Sequence, residues 1–413
     1  MTSQEERCSL GRAWVKTRVE TRMDGMTHLD HRAVALSAST AAIVEELGAP
    51  EACVAAARAL ASGADALSVA ARRALAVRWH AGGRTPAAHA IEAISAIAGD
   101  ARVITVAAAF VLARLRAEDG ADEAPSALSV WAPLAARHGL GPLQREIEDL
   151  AFKRLDRAAY DAVVRFVAER RKERDRAVAV ARGALLETLS EAGFEADVTG
   201  RAKHLYSIHQ KLRARGDRGP VLHDLFGLRV IVADEAACYA ALGAIHAAFA
   251  ALPDRFKDYI VRPKPSGYRA LHTCVDMAGV LDRSVEIQIR SRAMHAAAEH
   301  GAASHVRYKN LDGVKPAAGL WVYALTPRGE VRRLPRGATP LDFAYAIHTA
   351  IGRRYLGARV MGRMVPVDTP LETGDVVEIL CSARARPSKG QLARVRTARA
   401  RNRIRAALQR GSA

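Results

Sequence analysis

Aromatic residues are scarce, at 5% of the 413 residues. Cysteine is scarcer still: Cys8, Cys53, Cys238, Cys274 and Cys381 lie far apart and no pair has C-x-x-C spacing. That argues against a zinc site or a disulfide framework and fits a reducing cytosol. Long hydrophobic runs are missing too. The longest, near Val103 to Leu115, is too short to span a bilayer, so a membrane partner is not expected. Residues Met1 to Gly25 are charged throughout and contain no apolar stretch of the kind a signal peptide needs. These absences together predict a cytoplasmic protein.

What the chain does have is Ala, Arg and positive charge. Half of it is hydrophobic and 26% is charged, enough for packed cores in the two to four domains that this length suggests. The formal charge of +18 sets up a field that attracts polyanions such as nucleotides, RNA or an anionic surface, without choosing among them. The charge is uneven: Arg384 to Arg410 holds ten Lys and Arg and no acid, a basic tail.

Three textures follow one another. From about Leu29 to Ala192 the Ala-rich segments 41–48, 51–63 and 104–118 repeat apolar residues at helical spacing, with Gly48, Gly63 and Gly193 where helix ends are expected. A charged helix over roughly 158–192 leads out of this region. Beyond Gly193, LFGLRVIVAD (225–234) and RSVEIQIRS (283–291) read as strands, with a helix over 238–252 between them, giving a mixed α/β domain. From Leu320 a hairpin with Pro327, Arg328 and Gly329 in its turn, a helix over 341–352 opened by Thr339-Pro340, and strands at 359–366 and 375–381 describe a small β-grasp-like domain.

The polar residues of the middle domain concentrate the chemistry. Strand alternation in VEIQIR puts Val285, Ile287 and Ile289 on one face and Glu286, Gln288 and Arg290 on the other. An acid, an amide and a cation thus share about 14 Å of strand at ~3.4 Å per residue; a solvated face is the alternative. Asp224 stands just before the other strand, and two carboxylates at strand ends suit Mg2+ with phosphate oxygens; a capping or turn aspartate is the alternative. In GRAKHLYSIHQKL, Arg201, Lys203 and Lys211 frame a helix. Cations at a helix start oppose its dipole, a cost that an anion bound there would offset. RFKDYIVRPKPSGYRALH (255–272) interleaves Arg255, Lys257, Arg262, Lys264 and Arg269 with Tyr259, Tyr268 and His272, cations for phosphates and rings for a base.

Four ordered blocks, GRAKHLYSIHQKL, LHDLFGLRVIV, RFKDYIVRPKPSGYRALH and VEIQIRSRAMHAAAEHGAASHVRYK, closely resemble the synthetase domain of the RelA/SpoT family over about 110 residues. The resemblance implies a multidomain α plus α/β protein, with a mixed-sheet, nucleotidyltransferase-like synthetase domain. It implies a pyrophosphokinase that moves the β,γ-diphosphate of ATP to the 3′-hydroxyl of GDP or GTP and makes (p)ppGpp in the stringent response. By motif position, Arg201, Lys203 and Lys211 would hold ATP. Asp224 and Glu286 would bind Mg2+, and Glu286 would help deprotonate the hydroxyl. Tyr268 would stack on guanine with Lys264 and His272 near the acceptor. Ser266, Arg269, Ala270, Ser304 and Val306 depart from the family's usual residues, which bears on acceptor affinity more than on chemistry. The Arg255-Phe256-Lys257-Asp258 quartet has the basic form seen in bifunctional members.

Long members of the family begin with a Mn2+-dependent hydrolase domain that uses His and a His-Asp pair. Here the sole His-Asp dipeptide is His223-Asp224; His31 persists, but the expected His-Asp position reads Ala59 to Gly63. Residues 1–175 are therefore expected to be a helical, degenerate and inactive hydrolase-like domain, followed by the synthetase domain at 176–315. WVYALTPRGEVRRLPRGATPLDFAYAIHTAIGRRYLGARVMGRMVP and DVVEIL resemble the TGS domain, expected at 319–382 with a β-grasp fold and a regulatory role. His348 sits where the family contacts uncharged tRNA on the ribosome; a helix histidine without a ligand is the alternative. Residues 383–413 form the basic tail, an RNA-binding helix or a solvated segment. Against the synthetase stands a catalytically weak regulator that binds RNA or the ribosome through the TGS domain and tail.

Overall fold

A computed structural model describes residues 31–81, 86–117, 120–215, 226–281, 284–300 and 320–410. Asp224, Cys8, Ser304, Val306 and the segment Met1 to Gly25 lie outside them. Contacts divide the chain into two units, one of 1–45, 51–110 and 309–413, the other of 46–50 and 111–308.

The first unit opens with helices α1 (His31–Glu46), α2 (Glu51–Arg58), α3 (Ala66–Leu75) and α4 (Ala87–Ala98); α5 (Ala101–Arg116) begins in it and runs into the second. Small side chains let the helices approach: Ala56, Ala57, Ala71, Ala74, Ala90 and Ala93 are all fully buried. Asp65 and Ser68 close a reciprocal capping box at the start of α3. Gly48 and Gly63, at the helix ends, have φ of 62° and 68°, a conformation that glycine adopts without steric cost.

The C-terminal part of this unit has the hairpin β7 (Trp321–Leu325) and β8 (Val331–Pro335), numbered after the six strands of the second unit, and a sheet of β9 (Tyr355–Val360), β10 (Arg363–Val365) and β11 (Val377–Cys381) in the order β10-β9-β11. A parallel bridge from Leu325 to Val376 joins hairpin to sheet. The expected helix over 341–352 is two helices, Pro340–Ile347 and Thr349–Arg353, broken at His348. His348 is extended (φ −159°, ψ 143°), and its Nδ1 accepts from the Ala350 N–H at 3.1 Å, so it caps the second helix. Tyr323 Oη donates to Glu92 of α4 at 2.7 Å; burial, then that hydrogen bond, pushes its pKa up to about 12.

The basic tail is folded. Helices Lys389–Arg394 and Ala398–Arg410 place Val395, Ala400 and Ile404 in the same core as Phe343 and Tyr345. Asp342 ties them down. Its buried carboxylate accepts from Thr339 N–H and Oγ1 at 3.0 Å each, and also from Arg396 N–H and Thr397 N–H at 2.9 Å and Thr397 Oγ1 at 2.7 Å. One side chain thus caps its own helix and fixes the chain 54 residues on.

The second unit contains α6 (Ala132–Arg137), α7 (Gly141–Leu155), α8 (Arg157–Glu169) and α9 (Arg171–Glu191), then β1 (Asp197–Ala202), α10 (Leu205–Arg215), β2 (Phe226–Val232), α11 (Glu235–Ala248), β3 (Ala250–Ala251), β4 (Lys257–Asp258), β5 (Leu271–Asp276), β6 (Ser284–Ser291) and α12 (Arg292–His300). The single charged helix expected over 158–192 is α8 and α9, broken at Arg170 (φ −98°, ψ 7°) with neither proline nor glycine at the break. The helix expected over 238–252 starts earlier, where Asp234 accepts from Ala237 N–H, and ends at Ala248. Ala250 and Ala251 pair with β5 instead, so sheet pairing overrides the apolar helical pattern there.

The sheet runs β1-β2-β6-β5-β3, with β4 also on β5; β2 and β6 are parallel and the other pairs antiparallel. One face carries Val198, Leu228, Val230, Leu271, Val285, Ile287 and Ile289, all buried against Ala181 and Leu185 of α9 and Ala241 and Ile245 of α11. The other face is the polar one.

Two predictions arise here. Asp342→Ala leaves five donors without their acceptor, the two on Thr339 buried and the three on Arg396 and Thr397 partly so, at about 3 kcal/mol of stability, and is expected to speed tryptic cleavage within 389–410. Unchanged cleavage would show that the apolar contacts alone hold the segment. Burial lowers the pKa of His138, aided by Arg137, and burial also lowers that of His246. Both are then neutral in the fold, while the unfolded chain takes up protons near a pKa of about 6.5. Their stabilisation is complete above about pH 6.5 and is lost as pH falls toward the lower folded-state values. Urea midpoints should therefore drop between about pH 7 and pH 5, and less so in His138→Gln/His246→Gln.

Candidate functional site

The register of the sheet assembles the polar face in rows. Arg201 stands beside Gly227, and Cys274 beside Glu286. The next row runs Thr199, Arg229, Gln288, His272 and Lys257. At Gly227 the neighbouring strand comes close to the acid: a Cβ there would lie 3.0 Å from the Glu286 carbonyl oxygen and 3.7 Å from its Cβ. A side chain at 227 would therefore crowd Glu286.

The alternation expected for β6 holds, and its polar face is not a solvated one: Gln288 and Arg290 are buried, at 3% and 4% exposure. They form a connected ring with Glu286. Gln288 Nε2 donates to Glu286 Oε1 at 3.3 Å, and Arg290 Nη2 donates to Gln288 Oε1 at 3.2 Å. Arg290 Nη2 also donates to Tyr268 Oη at 2.7 Å, and Tyr268 Oη meets His272 Nε2 at 2.7 Å. His272 Nδ1 closes the ring, 4.0 Å from Glu286 Oε1. A guanidinium can only donate, so the tyrosine oxygen accepts from Arg290 and its own proton goes to His272 Nε2. A neutral His272 then carries its proton on Nδ1, facing the Glu286 carboxylate. Lys203, with its side chain 6% exposed, brings its ammonium to 3.4 Å from Glu286 Oε2. Glu286 itself keeps a third of its side chain exposed. Cys274, beside it on β5, has its thiol pKa raised by burial.

The loop between β4 and β5 covers this face. Burial works to raise the Asp258 carboxyl, but hydrogen bonds from Val261 N–H, Tyr239 Oη and Ile260 N–H hold it below its usual value. Gly267 N–H bonds to the Lys264 carbonyl at 2.7 Å, closing a turn in which Pro265 presets φ and Gly267 takes a φ of 70°. Lys264 Nζ lies 4.8 Å from the Tyr259 ring and 5.1 Å from the Tyr268 ring. Tyr259 sits edge-on to His272 at 5.1 Å. Arg269 faces elsewhere, bonding Glu235 at 2.8 Å, so one cation read as phosphate-binding has a partner on α11.

Of the residues singled out in the sequence, Lys203, Lys264, Tyr268, His272 and Glu286 come together here. Lys211 lies on α10, which begins two residues after Lys203. Arg201 is placed by backbone register alone, Asp224 lies outside the described residues, and His348 belongs to the other unit. The anion at the start of α10 is a protein group: the Asp149 carboxylate accepts from Leu205 N–H at 3.3 Å and Tyr206 N–H at 2.8 Å. Gln288, Arg290 and Asp149 were not among the expected site residues. The first two were signalled by the acid-amide-cation alternation of β6; Asp149 carries no local signal.

Residues 200–312 match the family model described as the region found in RelA / SpoT proteins, and residues 322–381 match the TGS domain. A GTP pyrophosphokinase of Streptomyces antibioticus is 39% identical over 368 residues, covering 76% of this chain and 44% of that protein. The bifunctional (p)ppGpp synthase/hydrolase RelA of Mycobacterium tuberculosis is 37% identical over 359 residues, covering 76% of this chain and 48% of that protein. A probable guanosine-3′,5′-bis(diphosphate) 3′-pyrophosphohydrolase of Synechocystis sp. is 37% identical over 353 residues, covering 75% and 46%. Residues 200–312 thus carry the region found in RelA/SpoT proteins, with a TGS domain after it. It spans less than half the length of these curated relatives.

Arg290 is the brace of the ring. Arg290→Met removes hydrogen bonds to the buried Gln288 and the partly buried Tyr268, at a cost of about 2–3 kcal/mol in urea unfolding. A loss under about 0.5 kcal/mol would show that these bonds contribute no net stability.

Proposed function

We propose that this chain is a (p)ppGpp synthetase that transfers the β,γ-diphosphate of ATP to the 3′-hydroxyl of GDP or GTP, releasing AMP. The observation that carries the reading is the Glu286 carboxylate, held by Gln288 with the Lys203 ammonium 3.4 Å away and a third of its side chain exposed on the polar face. The likeness to GTP pyrophosphokinases over three quarters of the chain supports it. In this reading Arg201, Lys203 and Lys211 hold the ATP phosphates. Lys264, Tyr268 and His272 receive the acceptor, with the Tyr268 ring against guanine. Glu286 accepts the proton of the attacking hydroxyl, and the cations neutralise charge that builds up on the transferred group.

A partly exposed carboxylate fits Mg2+, which takes one or two carboxylates together with phosphate oxygens. Glu286 and Asp224 would hold it. When bound it supplies charge neutralisation and alignment of the phosphates. The described residues contain no helix long and apolar enough to cross a membrane, and the reaction proposed is one of water-soluble nucleotides.

A second activity rests on a separate feature. The helix 398–410 buries Ala400 and Ile404 and leaves Arg399, Arg403 and Arg405 exposed, a fixed cationic face suited to RNA; with His348 exposed on the same unit, tRNA or the ribosome is the proposed partner. Residues 1–175 are proposed to be a hydrolase-like domain without hydrolytic activity.

Purified protein with labelled ATP, Mg2+ and either GDP or GTP is expected to yield AMP and the 3′-diphosphorylated product, and Glu286→Gln to lower the rate at least 1,000-fold, about 4 kcal/mol. No product with either acceptor, in the presence or absence of ribosomes and uncharged tRNA, would refute the synthetase reading. RNA affinity that falls steeply with salt, without turnover, would favour the regulatory one.

A further inference from the structure

Helix α10 starts without a cap of its own. Lys203 and His204 precede its first residue, where Ser, Thr, Asp or Asn would ordinarily take up the free N–H groups. The acceptors come instead from α7, more than fifty residues earlier. Asp149 receives Leu205 N–H at 3.3 Å and Tyr206 N–H at 2.8 Å. Its neighbour Glu148 pairs through Oε2 with His204 Nε2 at 2.6 Å, both side chains less than a fifth exposed. A carboxylate only accepts, so the His204 proton is on Nε2. Glu148 is itself oriented, since Gln144 Nε2 donates to its other oxygen at 3.0 Å. One turn on, Phe152 packs on His209 at 4.4 Å and on Tyr206 at 5.6 Å between ring centres, and on Ile208.

Three consecutive residues, 204 to 206, are thus fastened to α7, and the residue before them is Lys203 on Glu286. Shifting the start of α10 shifts Lys203 at one end and Lys211 two turns along. We propose that Asp149 and Glu148, which precede the matched family region, are positioning residues for the ATP side of the site. Asp149 acts as the helix cap and Glu148 as the anchor of His204. The proposal rests on the synthetase reading for its substrate. It predicts that α7 sets ATP affinity and leaves acceptor affinity alone, because His272, Tyr268 and Lys264 lie on other elements.

The test uses the full chain with Asp149→Ala, Asp149→Asn and Glu148→Ala, each checked for folding by circular dichroism. Amide exchange over 205–209 reads the cap directly, and calorimetry with α,β-methylene-ATP reads binding without turnover. Steady-state kinetics then separate the KM for ATP from that for GDP. Asp149→Ala is expected to speed exchange in that segment and to weaken analogue binding and raise the ATP KM about fivefold, with the GDP KM unchanged. Asp149→Asn, which keeps an acceptor oxygen, should recover most of the loss. If Asp149→Ala does not fold, Glu148→Ala carries the same expectation. Faster exchange with analogue binding within twofold of wild type would overturn the proposal, leaving a cap that serves stability alone; so would equal loss of ATP and GDP affinity. Analogue binding that depends on Asp149 in a protein that makes no product would uphold the proposal and sink the synthetase reading. No analogue binding by wild type would sink both.

Discussion

The pairing register of β6 is the constraint on which the site depends. A strand has a side-chain period of two, so a slip of one residue against β2 or β5 would turn Glu286, Gln288 and Arg290 into the core and Val285, Ile287 and Ile289 out of it. Burying an acid and a guanidinium against Leu185 and Ile245 has no compensating partner there, whereas the observed register buries three β-branched residues completely. The apolar face therefore locks the polar one. The parallel neighbour β2 adds a close approach at Gly227, and the antiparallel neighbour β5 delivers His272 opposite Gln288.

Given that register, the ring follows from the need to satisfy buried charge. Arg290 is almost wholly enclosed, and an enclosed guanidinium is tolerated only with acceptors in reach. It finds two neutral ones, Gln288 and Tyr268, and each passes the polarisation on toward Glu286. Glu286 itself meets the Lys203 ammonium at 3.4 Å and keeps a third of its side chain exposed.

The sequence made the middle domain legible because its signals were local and periodic. Strand alternation identified β6, and interleaved cations and rings identified the loop that carries Lys264 and Tyr268. The Thr339-Pro340 pair correctly opened a helix, with Asp342 completing the capping box. What stayed hidden was set by partners distant in the chain. The helix over 341–352 is interrupted because His348 caps its successor, and the helix over 238–252 is cut short by the edge of β5, neither of which spacing reveals. The N–H groups at the start of α10 are taken up by Asp149, a partner that a reading of that segment alone does not supply.

The C-terminal segment shows the same limit in another form. Ten cations without an acid read as a solvated tail or a free helix, and composition cannot separate the two. Ala400, Ile404 and Leu408 recur at every fourth residue, so the helix has one face to bury, and the hairpin-and-sheet core offers the matching surface. Asp342 then fixes the connection before it by accepting two backbone N–H groups that would otherwise be lost to water at the domain edge. The matched TGS region ends at residue 381, yet the core it builds is completed by residues 395 to 408. The cations are consequently held at fixed spacing on a folded surface. A phosphate backbone meeting them need not pay the ordering entropy that a flexible tail would impose, so the fold makes a specific geometry of contact possible where composition alone promised only attraction.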